Sequence, residues 1–485
     1  MARGSIINSV FLVGIGLLNL LKALIAAAFL TQAEFGIWII LYLAVVLLIG
    51  LKGAAVSDKY IQQDETDQEV AFQKSFTLEL MSAAILIVLS LGLAPVLALA
   101  YDNSDLILPM IALSVMLAGL AMQAPIWVFR RRMDFMRQRL YMAVDPIVSF
   151  VVTIGLAVAG VGYWSLVAGS VAGALVGGIV AVLASPIPLR LRYERDTTRA
   201  YVSFSWPLVV AVGSALAIAH VSVFVGNAAI GLAASGAIGL AATFSAYGDR
   251  VDTVITQAMY PAICRVADRR DTLLEAFEVS NRLALMWAVP FGAGLSLFAQ
   301  DLIDVVLGAQ WQSALILFQV FGITAALNHI GFNWGAFYRA IGETKPVAVV
   351  TFAAFVAFMT SAVPLTFAMG LDGFAIGMGA VTVVTLVFRG YYVVKLFPGF
   401  RLIRYAARAL LPSIPPVLFI LGLRLFVEDG TRTGALIAAE LTMYALLTVV
   451  AAVWLERNLL REAAGYLREA PGPGTGDGLL GGPLI

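Results

Sequence analysis

The sequence predicts an all-α integral membrane protein with fourteen transmembrane helices. Of its 485 residues, 61% are hydrophobic and 13% are charged, whereas soluble domains are about half apolar and a quarter charged. Apolar stretches recur along the whole chain, and each approaches the roughly 20 residues that a membrane-spanning helix needs. The short loops between them differ in charge from one side to the other. A soluble globular fold is therefore excluded.

Charge balance and cysteine content exclude further classes of protein. Lys and Arg together number 31 and Asp and Glu 30, a net charge of +1, which excludes a polybasic nucleic-acid binder. The single cysteine, Cys264, excludes a disulfide framework and a cysteine-cluster metal site. His220 and His329 lie far apart in sequence and disfavour a zinc or His-triad enzyme. We expect no enzymatic activity, no cofactor and no metal.

Charge clusters and turn residues divide the chain into fourteen apolar segments. Their ranges are 6–30, 34–57, 74–100, 106–129, 141–159, 163–185, 202–226, 230–257, 278–299, 313–338, 346–369, 373–395, 405–426 and 435–455. The first segment is too long for a cleaved signal peptide, and the second follows it at once. An even number of spans places both termini on one side of the membrane.

The distribution of Lys and Arg in the short loops predicts the orientation. With a cytoplasmic N-terminus, the inner loops hold the basic run Arg130–Arg132 and most other loop cations, whereas the outer loops hold only Arg424 and Arg432. We therefore expect a multi-pass protein of the bacterial cytoplasmic (inner) membrane with both termini in the cytoplasm. The longest outer loop, about 300–312, is short.

Similar local sequences recur about 200 to 211 residues apart, which predicts an internal repeat. The matched pairs are 32–37 with 233–238, 128–130 with 337–339, and 160–163 with 371–374. Both repeats begin on the same side, so the repeat is parallel and predicts two six-helix lobes related by a pseudo-two-fold axis. The expected domains are an N-lobe at 1–200, a C-lobe at 201–400, two extra helices at 401–455 and a cytoplasmic amphipathic or disordered tail at 456–485.

Six short segments, in order along the chain, resemble those of the Wzx-type oligosaccharide flippases of the multidrug/oligosaccharidyl-lipid/polysaccharide (MOP) exporter superfamily. The segments are 30–36 (LTQAEFG), 130–135 (RRRMDF), 160–167 (GVGYWSLV), 260–265 (YPAICR), 307–311 (LGAQW) and 337–342 (FYRAIG). The resemblance implies transfer of undecaprenyl-diphosphate-linked oligosaccharide repeat units from the inner to the outer leaflet, for surface polysaccharide biosynthesis. It also implies a V-shaped fold whose central cavity is lined by helices 1, 2, 7 and 8.

Several polar residues lie inside the predicted spans that would line this cavity. A cation inside the bilayer costs roughly 2.5–3.5 kcal/mol, so we expect each such residue to have a partner or a function that offsets this cost. A lipid diphosphate is an anion that fixed cations would attract. The candidate substrate-binding residues are Lys22, Lys52, Arg250, His220 and Asn19. Lys22 lies about eight residues from the end of its segment, roughly 12 Å deep.

Other readings of these residues stay open. Lys52 can extend to the inner interface, Arg250 can pair with neighbouring carboxylates, and His220 can be a hydrogen-bonded core residue. The possible ion-coupling residues are Asp249, Asp252, Glu79, Asp145 and Glu440, of which Glu79 and Asp145 can instead be interfacial. Arg389 lies near the inner end of its predicted span, and we expect it to anchor this end at the membrane–water interface.

Three other functions compete with the flippase. A drug/cation antiporter of the MATE type typically has a buried carboxylate in helix 1, whereas this helix contains Lys22 and no acidic residue. A membrane glycosyltransferase or polymerase would need a large external loop with paired acids. The sequence does not exclude a third function, that of a structural partner in a polysaccharide assembly complex without transport activity. The expected partners are the lipid-linked oligosaccharide, membrane lipids and, for a flippase, a polymerase and a chain-length regulator; the expected state is a monomer.

Overall fold

The computed structural model describes residues 2–52, 55–63, 65–343, 345–426 and 432–457, and every regular element among them is helical. The α-helices in chain order are α1 Ala2–Phe29, α2 Gln32–Lys52, α3 Ala55–Gln62, α4 Gln68–Ala100, α5 Ile107–Met122, α6 Ile126–Arg131, α7 Phe135–Val158, α8 Trp164–Leu183, α9 Arg195–Ile230, α10 Leu232–Ser245, α11 Arg250–Arg265, α12 Arg270–Leu297, α13 Ala299–Asp301, α14 Leu315–Asn328, α15 Trp334–Ala340, α16 Lys345–Ala357, α17 Val363–Leu396, α18 Leu402–Leu410, α19 Ile414–Phe426 and α20 Gly434–Leu455. Short 3-10 or π segments lie at Ser104–Leu106, Leu302–Leu307, Ala309–Ala314, Phe358–Ala362 and Leu411–Ser413.

Local sequence explains where these helices begin and turn. The Asp67 side chain accepts hydrogen bonds from the first backbone N–H groups of α4, and Asp134 does the same for α7. An aspartate in this position satisfies N–H groups that have no partner within the helix. Between α7 and α8, Gly160 and Gly162 adopt φ values of +77° and +65°. This conformation favours glycine and explains the two glycines of the GVGYW segment.

Among the described residues, each of the fourteen predicted apolar segments coincides with one or more helices. Among the described residues, nine helical stretches are long and apolar enough to cross a membrane, or ten if the bent pair Arg270–Leu297 and Ala299–Leu307 forms one span. The eleventh and twelfth segments meet at Gly370, where a φ of +66° kinks a run that is otherwise helical. The chain is thus a multi-pass membrane protein, and the number of fourteen spans stays a prediction.

Three of the predicted spans contain breaks of three or more residues that hydropathy does not predict. The fourth predicted span is interrupted at residues 123–125, the eighth at 246–249 and the tenth at 329–333. Pro125 and the positive φ of Gly331 are the local causes at the first and last breaks. Broken helices at membrane depth are tolerated only where protein buries them or water reaches them. The breaks therefore indicate where polar chemistry is concentrated.

The two halves of the chain meet closely where α2 and α10 begin. A Cβ atom added at Gly36 would lie 2.1 Å from Leu232 O, and one at Gly236 would lie 2.0 Å from Gln32 O. Trp311 is fully buried beside them, and its Nε1 donates to Ala27 O at 3.0 Å. Two of the six family-like segments, 30–36 and 307–311, thus build this contact together.

Candidate functional site

Lys22 lies at the meeting point of α1, α7 and the break between α5 and α6. Its side chain is half-buried, and Nζ donates to Ser149 Oγ at 3.0 Å. Asp145 lies one helical turn before Ser149 and attracts Lys22 electrostatically. Gln123 Nε2 donates to Asp145 Oδ2 at 2.9 Å. We call Lys22, Gln123, Asp145 and Ser149 the lysine site.

Glycines on α8 fix the geometry of the lysine site. A Cβ atom at Gly173 would lie 2.7 Å from Asp145 O, and one at Gly177 would lie 3.0 Å from Gln123 Nε2. Only glycine permits such close approach, so α8 presses directly against the backbone that carries the carboxylate. Asp145 and Gln123 are consequently held in place while Lys22, on a flexible four-carbon stem, is freer to move.

A cavity of about 330 Å³ adjoins the lysine site. Gln123 lines it together with Glu79, Arg130 and Gln138. Glu79 is 1% exposed and lies on α4, in the wall of this cavity. Gln123 belongs to both features and joins the cavity to Asp145.

A second polar cluster lies between the other two breaks. His329 follows the end of α14, and its Nε2 lies 3.1 Å from Asp252 Oδ2 and 3.5 Å from Asp249 Oδ1. His329 is 1% exposed, whereas the Asp249 side chain is 66% exposed. The cluster thus extends from a buried helix break to an accessible edge. Both aspartates are among the residues that the sequence predicts for ion coupling, whereas His329 is not.

Arg389 supports the same break, so its assignment as an interfacial anchor is wrong. Its Nη1 donates to Ile330 O at 3.1 Å and to Asn328 O. These carbonyls have no partner within α14, because the helix ends there. Arg389 therefore completes the broken helix, and it acts electrostatically on Asp249 and Asp252.

The remaining candidates lie elsewhere or outside the described residues. His220 Nε2 lies 3.1 Å from Leu43 O, and because a carbonyl oxygen can only accept, Nε2 is the donor. This hydrogen bond links α9 to α2. Asn19 is half-buried on α1, three residues before Lys22. Lys52 ends α2 and Arg250 begins α11, but both side chains lie outside the described residues, as does the tail beyond residue 457.

Glu440 forms part of a buried ion-pair network and does not line an open cavity. It is 1% exposed, and its Oε2 accepts from Arg424 at 2.9 Å and from Arg432 at 2.8 Å. Asp301 binds the same two arginines, at 2.8 and 2.7 Å. The network joins α13, α19 and α20, and two arginines account for the burial of the carboxylates without a coupling ion.

A protein-family model described as "Polysaccharide biosynthesis protein" matches residues 25–316, more than half of the chain. The chain belongs to this family. The match covers Gln123, Asp145 and Ser149 of the lysine site, the aspartates of the second cluster and the α2–α10 contact, and it begins three residues after Lys22. The resemblance to MOP-superfamily polysaccharide exporters that the short segments indicate is confirmed.

Among curated proteins, the chain is similar to the succinoglycan biosynthesis transport protein ExoT of Rhizobium meliloti (strain 1021). The identity is 23% over 345 residues, which cover 67% of this chain and 69% of that protein. This relative and the neighbours described next are named as a transport protein, a flippase and transporters, and none of them is named as an enzyme.

Solved structures show the fold. The chain superimposes on the lipid II flippase MurJ in an inward closed conformation with a TM-score of 0.65 and 13% identity, covering 93% of this chain and 99% of that one. An inward-facing multidrug resistance MATE transporter of the MOP superfamily gives a TM-score of 0.65 and 15% identity, covering 80% and 98%. A MOP superfamily transporter from Pyrococcus furiosus gives 0.52 and 15%, covering 81% and 96%. The all-helical fold is therefore of the MurJ and MATE type.

Proposed function

We propose that the protein is a flippase that moves undecaprenyl-diphosphate-linked oligosaccharide repeat units across the bacterial cytoplasmic membrane, from the inner to the outer leaflet. Family membership and the MurJ-type fold support a transporter of lipid-linked saccharides. The observation that carries the finer proposal is Lys22, an ammonium group inside an apolar helix that is held by the neutral hydroxyl of Ser149.

The chemistry of Lys22 suits an anionic headgroup. An ammonium group has three N–H donors, and Ser149 uses one of them, which leaves two for phosphate oxygens. Asp145 attracts the ammonium at longer range while Gln123 holds the carboxylate in place. We infer that the Lys22 side chain moves away from Asp145 and toward the diphosphate when substrate enters, and that it returns to Asp145 after the substrate leaves. A cationic drug would instead be repelled by Lys22.

Alternating access between two lobes is the proposed mechanism. The breaks after α5 and after α14 begin at Gln123 and His329, 206 residues apart, which supports the proposed repeat of lobes 1–200 and 201–400 on a fourteen-span frame. In transporters built from repeats, discontinuous helices typically form the binding sites. With both termini in the cytoplasm, the α2–α10 contact would close the outer end of the path between the lobes. A polymerase would act on the product, with a monomeric flippase upstream of it.

The test replaces Lys22 in the organism's own gene. We expect Lys22→Met to lower glycan export about ten- to a hundredfold, because a hydrogen bond to a charged group contributes about 1.5–3 kcal/mol. Lys22→Arg should retain part of the activity. Lys345→Met is the matched control, since this lysine is exposed at the start of α16. Surface polysaccharide and accumulated lipid-linked oligosaccharide are the readouts.

Normal export by Lys22→Met at a normal protein level would remove Lys22 from the mechanism. Deletion of the gene distinguishes the rival antiporter. A deletion strain with intact surface polysaccharide and raised drug sensitivity would contradict the flippase proposal.

A further inference from the structure

Three atoms that carry lone pairs converge between the breaks that follow α10 and α14. They are His329 Nε2, one carboxylate oxygen of Asp249 and one of Asp252, and all lie within 4.8 Å of one another. The imidazole comes from the tenth predicted span and both carboxylates from the eighth. Two broken helices thus direct acceptor groups toward a common point.

The tautomer of His329 is fixed by its other nitrogen. Nδ1 lies 2.6 Å from Ala325 O, and a carbonyl oxygen only accepts, so Nδ1 carries the hydrogen. In the neutral ring, Nε2 then presents its lone pair to the two carboxylates. Within the described part of the chain, neither Nε2 nor Asp252 Oδ1 has a hydrogen-bond partner, although both atoms are buried. Acceptors that face one another in this way need a cation between them.

We propose that Asp249, Asp252 and His329 bind a divalent transition-metal ion of the zinc class. Zinc binds imidazole nitrogen at about 2.0–2.1 Å and carboxylate oxygen at about 2.0–2.2 Å, so the ligand atoms of a tetrahedral site lie about 3.4 Å apart. The separations of 3.1 and 3.5 Å from Nε2 match this spacing. Two carboxylates balance the charge of the ion. The imidazole favours zinc, cobalt or nickel over magnesium and calcium.

The surroundings of the cluster fit the same ion. The Nδ1–H to carbonyl bond of His329 is the outer-shell arrangement that orients metal-binding histidines. The exposed side chain of Asp249 gives an ion access to the buried imidazole. The positive charge of Arg389 acts against a second cation, but its guanidinium is bonded to the carbonyls of the helix break. Three protein ligands leave a fourth position open to water or to an anionic oxygen.

Binding of Co²⁺ to the purified full-length protein tests the proposal, because four-coordinate Co²⁺ absorbs visible light intensely. After removal of any histidine tag, we expect one Co²⁺ per chain, displaced by Zn²⁺. Loss of a ligand should weaken binding at least as much as loss of an outer-shell partner, which costs about 10- to 100-fold. His329→Gln and Asp252→Asn should therefore lose the spectrum. His220→Gln is the matched control, since this histidine binds a carbonyl on α2.

Either of two results would overturn the proposal. One is that the wild type takes up no stoichiometric Co²⁺ or Zn²⁺, in which case a proton is the only cation in the cluster. The other is that both variants bind as the wild type does. Asp249→Asn, at an exposed position, serves if His329→Gln does not fold. Because metal binding is measured on purified protein, the outcome is independent of whether the protein exports a glycan.

Discussion

Replacing Gly236 with alanine should weaken the contact between the two halves of the chain. The added Cβ would lie 2.0 Å from Gln32 O and 2.9 Å from Gly36 N, whereas side-chain carbons essentially never approach within 3.0 Å of such atoms. The helices must separate by more than about 1 Å, and overpacking of this kind costs about 1–3 kcal/mol. If opening the contact relieves the strain, the ratio of open to closed molecules rises by about fivefold to more than a hundredfold.

Cross-linking across the contact measures this shift. Gln32 Nε2 donates to Ser313 Oγ at 2.9 Å, so cysteines at 32 and 313 can be joined by a short bifunctional thiosulfonate after Cys264→Ser. We expect Gly236→Ala to lower the cross-linked fraction. Gly92→Ala, in α4, is the control, because its Cβ would meet nothing within 4 Å and it reports only the higher helix propensity of alanine. Equal cross-linking in all three proteins would refute the reasoning.

Two predictions concern stability. Glu440→Gln should lower the free energy of unfolding by about 3 kcal/mol, because it leaves two arginines, Arg424 and Arg432, with a single carboxylate; an unchanged SDS-unfolding midpoint would contradict this. Glu194, in the loop before α9, binds Lys74 at 2.6 Å, and this hydrogen bond lowers the pKa of Glu194 below its usual 4.5. A lowered carboxylate pKa stabilises the fold above the usual value and loses that contribution as the pH falls through the lowered one. The melting temperatures of wild type and Glu194→Gln should therefore differ at neutral pH and converge in acid, and a constant difference would contradict the pairing.

The helices could be predicted from the sequence because each span is an apolar stretch of the required length. Gly370 illustrates this, since it lies between two predicted spans and its φ of +66° separates them in the structure. Lys22 could be selected because a lysine in such a stretch needs a partner. Its contacts could not be predicted, because they depend on how α1 crosses α7. Asp145 and Gln123 became one site with Lys22 only through that crossing.

Hydropathy also cannot show whether an apolar stretch is one helix or two. Asn328, His329 and Asn333 make the middle of the tenth predicted span polar, but only the backbone shows that the helix breaks at His329. Comparison of the two halves carried a usable signal, since the separation of Gln123 from His329 falls within the range of the repeat. Under the proposed repeat, these two breaks lie at corresponding points of the halves, and the residue types at each break would decide what it binds. In the first half an amide holds the carboxylate that faces a lysine, while in the second an imidazole faces two carboxylates. If the proposed repeat holds, this difference suits the first break to an anion and the second to a cation.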